Sequence, residues 1–260
     1  GRVDLVRSLK ESCDVYYYEL AERVGIEAIS AMARKLGLGI RPDVPLSGVA
    51  EGLMPTKDWK REVRGGDWMI GDSLNAGIGQ GFVLASPLQL AIMTARIASG
   101  TAIEPRLVRS IDGVEQPVRG TDVLDIDPSH LAAVRLGMYE VVNGTRGTAG
   151  RSRIVADGIR MAGKTGTSQV RNIPAAERAA GVTRNEDLPW NRRDHALFVS
   201  FAPHDAPEVA GSGVVEHGMG GSLAAAPIAR DILIEAQRRD PSRGRAASIG
   251  TQPPAGAEEG

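Results

Sequence analysis

The run Ile159-Arg160-Met161-Ala162-Gly163-Lys164-Thr165-Gly166-Thr167-Ser168-Gln169-Val170 constrains this chain more than any other. It reads as a strand, yet two glycines interrupt it. A glycine inside a strand weakens the strand and points to close approach by a ligand or another backbone. Gly163 and Gly166 are therefore read as room for a peptide added along this strand. Lys164 sits between them among small neighbours. Lysine is scarce: Lys10, Lys35, Lys57, Lys60 and Lys164 are the only ones, and arginine does most of the surface work. The bland reading of Lys164 is an exposed lysine on a strand edge.

Around this run the pattern divides in two. The first 150 residues read as helices and loops. Val3–Lys10 is a short amphipathic segment, and Val15–Leu36 places apolar residues at helical spacing, with Gly25 as a break and Gly37 as a stop. Residues 38–80 are rich in Gly and Pro and read as long loops with short helical turns. Ser86-Pro87-Leu88-Gln89 opens a helix with serine as cap, proline at the first turn and glutamine three residues on; Gly100 ends it. Asp127-Pro128 opens another that ends near Val142-Asn143-Gly144, and residues 104–126 hold a short hairpin. The later part reads as strands: Ile154–Val170, His195–Ala202 and Glu208–Glu216, the last two joined by a turn at Pro203-His204-Asp205-Ala206-Pro207. Arg171–Arg193 is polar and is expected to be a flexible lid. A last helix covers about Ser222 to Arg239, and 241–260 is expected to be a disordered tail.

A chain of 260 residues that is 42% hydrophobic can bury a substantial single core. Net charge of −1 without a long basic or acidic run gives nothing that suggests nucleic-acid binding, and no nucleic-acid partner is expected. A single cysteine, Cys13, excludes an internal disulfide without deciding the compartment. No apolar run is long enough to span a bilayer, because Phe82–Ala98 is broken by Pro87, Gln89 and Arg96. Gly77-Ile78-Gly79-Gln80-Gly81 has the wrong glycine spacing for a phosphate loop and no strand before it. His130, His195, His204 and His217 are scattered without metal-ligand spacing, so no metal or other cofactor is expected.

Lys-Thr-Gly on a strand is one of three elements of the penicillin-recognising serine enzymes, beside Ser-x-x-Lys and Ser-x-Asn. Ser12-Cys13-Asp14 lies between two helical segments, where Ser-x-Asn lies in those enzymes. Further ordered matches are Tyr16-Tyr17-Tyr18, Met54-Pro55-Thr56-Lys57-Asp58-Trp59-Lys60, Gly71-Asp72, the Gly77–Gly81 run, Asn143-Gly144-Thr145, Gly147-Thr148-Ala149, and Asp194-His195 leading into Phe201-Ala202-Pro203. Over about residues 3 to 238 the chain resembles the transpeptidase domain of class B penicillin-binding proteins of the elongation type, penicillin-binding protein 2.

The resemblance implies an α+β penicillin-binding fold, a helical subdomain with an antiparallel sheet, incomplete at its N-terminus and covering residues 1–240. It implies a peptidoglycan D,D-transpeptidase of cell-wall elongation and rod shape, with D-Ala-D-Ala stem peptides and β-lactams as ligands. Membrane elongation-complex proteins, a glycosyltransferase among them, are the implied partners. The implied location is the periplasmic face of the bacterial inner membrane, through an anchoring helix upstream. Ser12 is expected to relay a proton to the leaving amine, Lys164 to hold the terminal carboxylate with the Thr165 and Thr167 hydroxyls, and the Thr167 N–H to form half of an oxyanion hole. Gly166 and Asp14 complete the expected substrate contacts. The Gly77–Gly81 run is implied to be a structural turn behind the active site.

Two departures matter. Asp14 replaces the asparagine, and an ionised aspartate only accepts hydrogen bonds. It either faces an N–H or cation of the donor peptide, is held protonated, or caps the helix that follows. Ser12 has its own bland reading as a helix cap. Cys13 is read as packing; it could bind zinc, as the resemblance allows in some relatives, only with ligands upstream. The larger departure is that no serine here is followed three residues later by lysine. The expectation is a C-terminal fragment, inactive alone, of a longer enzyme. Rival readings are a D,D-carboxypeptidase or β-lactamase-like enzyme, or a non-catalytic scaffold.

Overall fold

The structure, a computed structural model, describes residues 2–155 and 159–239. The expected tail at 241–260 lies outside the described residues. α1 (Leu5–Glu11) starts where the Asp4 carboxylate accepts from the Arg7 N–H at 2.8 Å, which satisfies a free first-turn donor. α2 (Asp14–Val24) and α3 (Ile26–Lys35) form the predicted long helix, broken at Gly25, whose φ of 79° suits glycine.

Residues 38–80 hold more helix than their composition suggests. α4 (Lys57–Arg64) is capped by the Thr56 hydroxyl, which accepts from Trp59 N–H at 3.1 Å, and ends at Gly65 in the left-handed region. α5 (Ile70–Gly77) is fixed by Asp72, whose carboxylate accepts from Met69 N–H at 2.7 Å and from Lys60 Nζ at 2.5 Å. Each spans only about two turns and α4 is mostly charged, so neither gives the sustained apolar stripe by which a helix is read from sequence.

α6 (Pro87–Ser99) shows the expected reciprocal cap between Ser86 and Gln89. β1 (Ser110–Ile111) and β2 (Val114–Glu115) make the short hairpin, and α7 (Pro128–Asn143) follows Asp127. The main sheet is antiparallel in the order β3-β4-β5: β3 (Ala162–Ser168), β4 (His195–Ala202) and β5 (Val209–Val215). Of the predicted Ile154–Val170 run, β3 takes Ala162–Ser168; Ile154, Val155 and 159–161 are not strand, and 156–158 lie outside the described residues. α8 (Ala175–Ala180) lies in the β3–β4 connection, and α9 (Ala225–Arg238) is the last element among the described residues.

Both sheet faces are covered. Ala196, Phe198 and Ala202 pack with Val141, Met161, Ala226 and Leu233. Phe201 and Ala162 pack with Ala98 of α6 and Met138 of α7. Phe198 and Phe201 are fully buried, each contributing about 2–3 kcal/mol of transfer free energy. Among the described residues β3 is an edge strand, with β4 on one side only. That free edge positions the site.

Candidate active site

Ser12 ends α1 in the left-handed region, at φ 51° and ψ 59°. Its N–H and that of Cys13 donate to the Leu9 and Ser8 carbonyls at 3.3 and 2.9 Å, so the chain turns sharply into α2. Ser12 is thus no N-cap of the next helix. Asp14 is the first residue of α2, exposed, and the N-cap position is Cys13, whose half-buried side chain makes no capping bond. The alternative of Asp14 as a cap is corrected by this geometry.

The α1 end is held against α7 and the loop after it. A Cβ on Gly137 would come within 2.4 Å of Leu9, so α1 and α7 touch at close range there. Beyond α7, the Thr148 N–H donates to the Lys10 carbonyl at 3.3 Å, and Arg146 pairs with Glu11 at 2.9 Å. The Thr148 hydroxyl meets the Thr165 hydroxyl at 3.1 Å. Thr148 therefore ties the Ser12 turn to β3. In the sequence Thr148 stands only within the ordered match Gly147-Thr148-Ala149, and a hydroxyl directly after a glycine is the one local signal of its role.

Across the gap Lys164 Nζ donates to Ser12 Oγ, 152 residues away in sequence, and to the Thr165 carbonyl at 2.8 Å. Burial lowers the Lys164 pKa to about 8, partly offset by the negative charge of Asp14. Ser12, Asp14, Lys164, Thr165, Gly166 and Thr167 all line one cleft of about 620 Å³. The residues expected in catalytic and substrate contacts are thus brought together there, while Gly163 and Cys13 are not among the lining.

Strand parity shows which backbone groups face the cleft. The Thr165 carbonyl accepts from Lys164, and the Thr167 carbonyl accepts from Gln80 Nε2 at 2.8 Å. Successive odd residues of β3 thus direct their peptide groups to the free edge, while the even residues face β4. The Thr167 N–H points into the cleft.

Two expectations change. Gly163 leaves no room for substrate: a Cβ there would meet Phe198 at 2.4 Å and the Val199 carbonyl at 2.6 Å, so this glycine accommodates the core. Gly166 behaves differently. A Cβ there would make only an ordinary 3.4 Å contact with Leu197, and the residue lines the cleft. The Gly77–Gly81 turn is beside the site, not behind it, because Gln80 reaches β3.

The 171–193 connection is more ordered than a flexible lid. Arg171 makes a bidentate pair with Glu177 at 2.7 and 2.8 Å, and Asn185 donates to Asp194 at 2.8 Å. His195 and His217, far apart in sequence, have rings 4.7 Å apart. Among the described residues no group of three or more His, Cys, Asp or Glu is placed to hold a metal, and Cys13 has no co-ligand.

Residues 1–234 match the penicillin binding protein transpeptidase domain. This chain belongs to that family. Within it, the peptidoglycan D,D-transpeptidase MrdA of Haemophilus influenzae is 33% identical over 90% of this chain and 36% of its own length. The crystal structure of Pseudomonas aeruginosa PBP2 superposes with a TM-score of 0.78 at 36% identity, covering 93% of this chain and 50% of that one. PBP2 of Helicobacter pylori, in its complex with MreC, also gives 0.78, at 32% identity, covering 92% and 41%. The transpeptidase-family chain described here spans about a third of the length of the curated relatives it matches. The Ser12 turn and the Lys164 strand face each other across its cleft.

Proposed function

We propose that this chain is the substrate-side part of a peptidoglycan D,D-transpeptidase of cell-wall elongation, a serine acyltransferase and target of penicillins. The observation that carries the reading is the Lys164–Ser12 contact on a free strand edge. A lysine partly stripped of water, bonded to a serine hydroxyl beside unpaired strand groups, suits a carboxylate-bearing peptide laid along β3.

In this reading a serine outside these 260 residues attacks the carbonyl of the penultimate D-alanine. Negative charge develops on that oxygen, and the Thr167 N–H stabilises it. Lys164, with the Thr165 and Thr167 hydroxyls, holds the terminal carboxylate. Ser12, held by Lys164, relays the proton released by the attacking hydroxyl to the departing D-alanine nitrogen as the C–N bond breaks. The resulting acyl ester then passes to an amine of a neighbouring stem peptide. The same chemistry acylates the serine with a β-lactam. Ser12-Cys13-Asp14 supplies the relay without needing a metal on Cys13.

Similarity to a PBP2 in complex with MreC supports partners among membrane elongation-complex proteins, and similarity at 28% identity to a chain of a peptidoglycan synthase complex that coordinates polymerization and crosslinking supports a glycosyltransferase among them. It supports action at the periplasmic face of the inner membrane. The test is fluorescent-penicillin labelling of the full-length protein and its Lys164→Ala variant. Losing a charge-assisted bond to a held carboxylate costs about 1.5–3 kcal/mol, or roughly 10- to 150-fold in acylation rate. The 260-residue chain alone is expected to stay unlabelled. A covalent adduct on Ser12, or an unchanged rate in Lys164→Ala, would overturn these roles.

A further inference from the structure

Two histidines clasp one end of the main sheet. His195 opens β4 and pairs with Ser168 at the end of β3; His217 follows just after β5. The His217 backbone N–H donates to His195 Nδ1 at 2.9 Å, and His217 Nδ1 meets the Arg193 carbonyl at 2.8 Å. A carbonyl only accepts, so His217 Nδ1 carries a proton. A backbone N–H only donates, so His195 Nδ1 carries none. The two rings lie 4.7 Å apart, and the Trp190 ring stands edge-on to His217 at 4.3 Å.

The turn that this bond holds is strained. His217 and Met219 have φ of 55° and 67°, two of the five non-glycine residues with positive φ among those described. Such backbone persists only where its surroundings over-determine it. Beside His195 Nδ1, the Asp194 carbonyl accepts from Met219 N–H at 2.9 Å and the Val215 carbonyl from Gly218 N–H at 3.1 Å. The chain then runs at once into Gly220, Gly221 and Ser222, which line the cleft with Lys164 and Thr167. A Cβ on Gly221 would collide with the Leu197 carbonyl and lie 2.7 Å from that of Gly166, so this wall rests directly on β3 and β4.

Histidine is the side chain that takes up a proton between about pH 5 and 8. His217 can take one on Nε2 and keep its bond to Arg193. His195 cannot keep its bond, because the added proton sits on Nδ1 and faces the His217 N–H, donor against donor. The charged groups beside the pair are engaged or exposed. The Asp194 carboxylate accepts from Val170 N–H and Asn185, with Arg171 near enough to feel its charge. Arg193 turns its guanidinium to the Leu188 and Glu186 carbonyls, and Arg192 and Glu216 are exposed. We propose that His195 is a positioning residue for acyl transfer: with Nδ1 bare it holds the His217 turn, and through it the 220–222 wall of the cleft, so that protonation of His195 releases the wall and slows acylation in acid.

The test is acylation of the full-length protein by fluorescent penicillin between about pH 5.5 and about pH 7.5, on wild type, H195N and H195A. The inference rests on the Lys164 cleft being the acylation site. An asparagine oxygen stands where Nδ1 stands and takes up no proton in this range, so H195N keeps the acceptor throughout. Relative to its own neutral rate, the wild type is expected to fall about fivefold further than H195N at the acid end, the value of one neutral hydrogen bond. At the neutral end H195A is expected to be about fivefold slower than H195N. Acid-side profiles that superpose for wild type and H195N, or an H195N no faster than H195A, would each overturn the role of His195; if H195A does not fold, the first comparison decides alone. Loss of far-UV circular dichroism in the wild type at the acid end would make the fall an unfolding and overturn it too. A wild type that is not acylated at neutral pH would instead overturn the reading of the Lys164 cleft, and this inference with it.

Discussion

Gln80 Nε2 donates to the Thr167 carbonyl at 2.8 Å, joining a glycine turn to the strand 87 residues further along. The bond uses an edge acceptor that β4 cannot reach, and it fixes the peptide plane preceding Ser168. Through it the turn after α5 sets the attitude of β3 beside Thr167. The anchor extends back through α5 to the Lys60–Asp72 pair at 2.5 Å.

Gln80→Ala in the full-length protein is therefore expected to slow penicillin acylation by about 3- to 10-fold, the equivalent of one neutral hydrogen bond of ~1 kcal/mol. Because Gln80 is only partly buried, the melting temperature is expected to move little. Stopped-flow acylation beside thermal melts checks this. A large melting loss with a proportionate rate loss would make Gln80 a structural brace only.

The two strand glycines are expected to separate stability from activity. Gly163→Ala drives a methyl into Phe198 and the Val199 carbonyl, and overpacking of this kind costs about 1–3 kcal/mol. Gly166→Ala meets only Leu197 at ordinary contact distance, so stability is expected to hold while acylation falls, the methyl lying at the cleft. Urea melts and acylation rates on both variants decide it; the reverse pattern would refute the assignment.

Lys164 predicts a pH limb. Its folded pKa of about 8 lies below the free lysine value of 10.5. The charge that holds a carboxylate is present below about pH 8 and is lost as pH rises through it. Stability runs the other way: between about 8 and 10.5 the unfolded chain binds the extra proton, so the burial cost is relieved as pH rises. Acylation by a carboxylate-bearing β-lactam is expected to fall above pH 8 in the wild type. In Lys164→Arg it is expected to be lower throughout and flat over that range, because arginine keeps its charge. A wild-type rate that climbs through pH 8 would instead mean that neutral Lys164 acts as a base toward Ser12.

Asp14, exposed in the first turn of α2 and lining the cleft, is expected to act on substrate more than on stability. Asp14→Asn should lose more activity on stem peptide than on a small β-lactam, which lacks the donor's cationic side chain. Asp14→Ala should cost only about 0.3–1 kcal/mol, the value of a charge at a helix N-terminus without a side-chain cap. Cross-linking and acylation rates beside melts test this. Equal losses on both substrates that track the melting temperature would reduce Asp14 to a helix residue.

Local signals in the sequence determined the caps at Ser86 and Asp127, the break at Gly25 and the core of the sheet strands, whereas the residues gathered at the site were named through the family resemblance. Each such signal depends on neighbours within a few positions, where side-chain chemistry and backbone preference act without help from the fold. The anchored helices α4 and α5 were not legible, since two turns are too short for a sustained apolar stripe and Lys60–Asp72 spans two elements. The difference between Gly163 and Gly166 was not legible either: both are glycines in one strand, and only the ring of Phe198 across the sheet separates packing from access. Likewise the order of the 171–193 connection depends on Arg171–Glu177, and the role of Gln80 depends on an edge acceptor 87 residues away. Tertiary structure decided these because a contact between distant residues is fixed by how whole elements pack, and neither partner's local sequence records it.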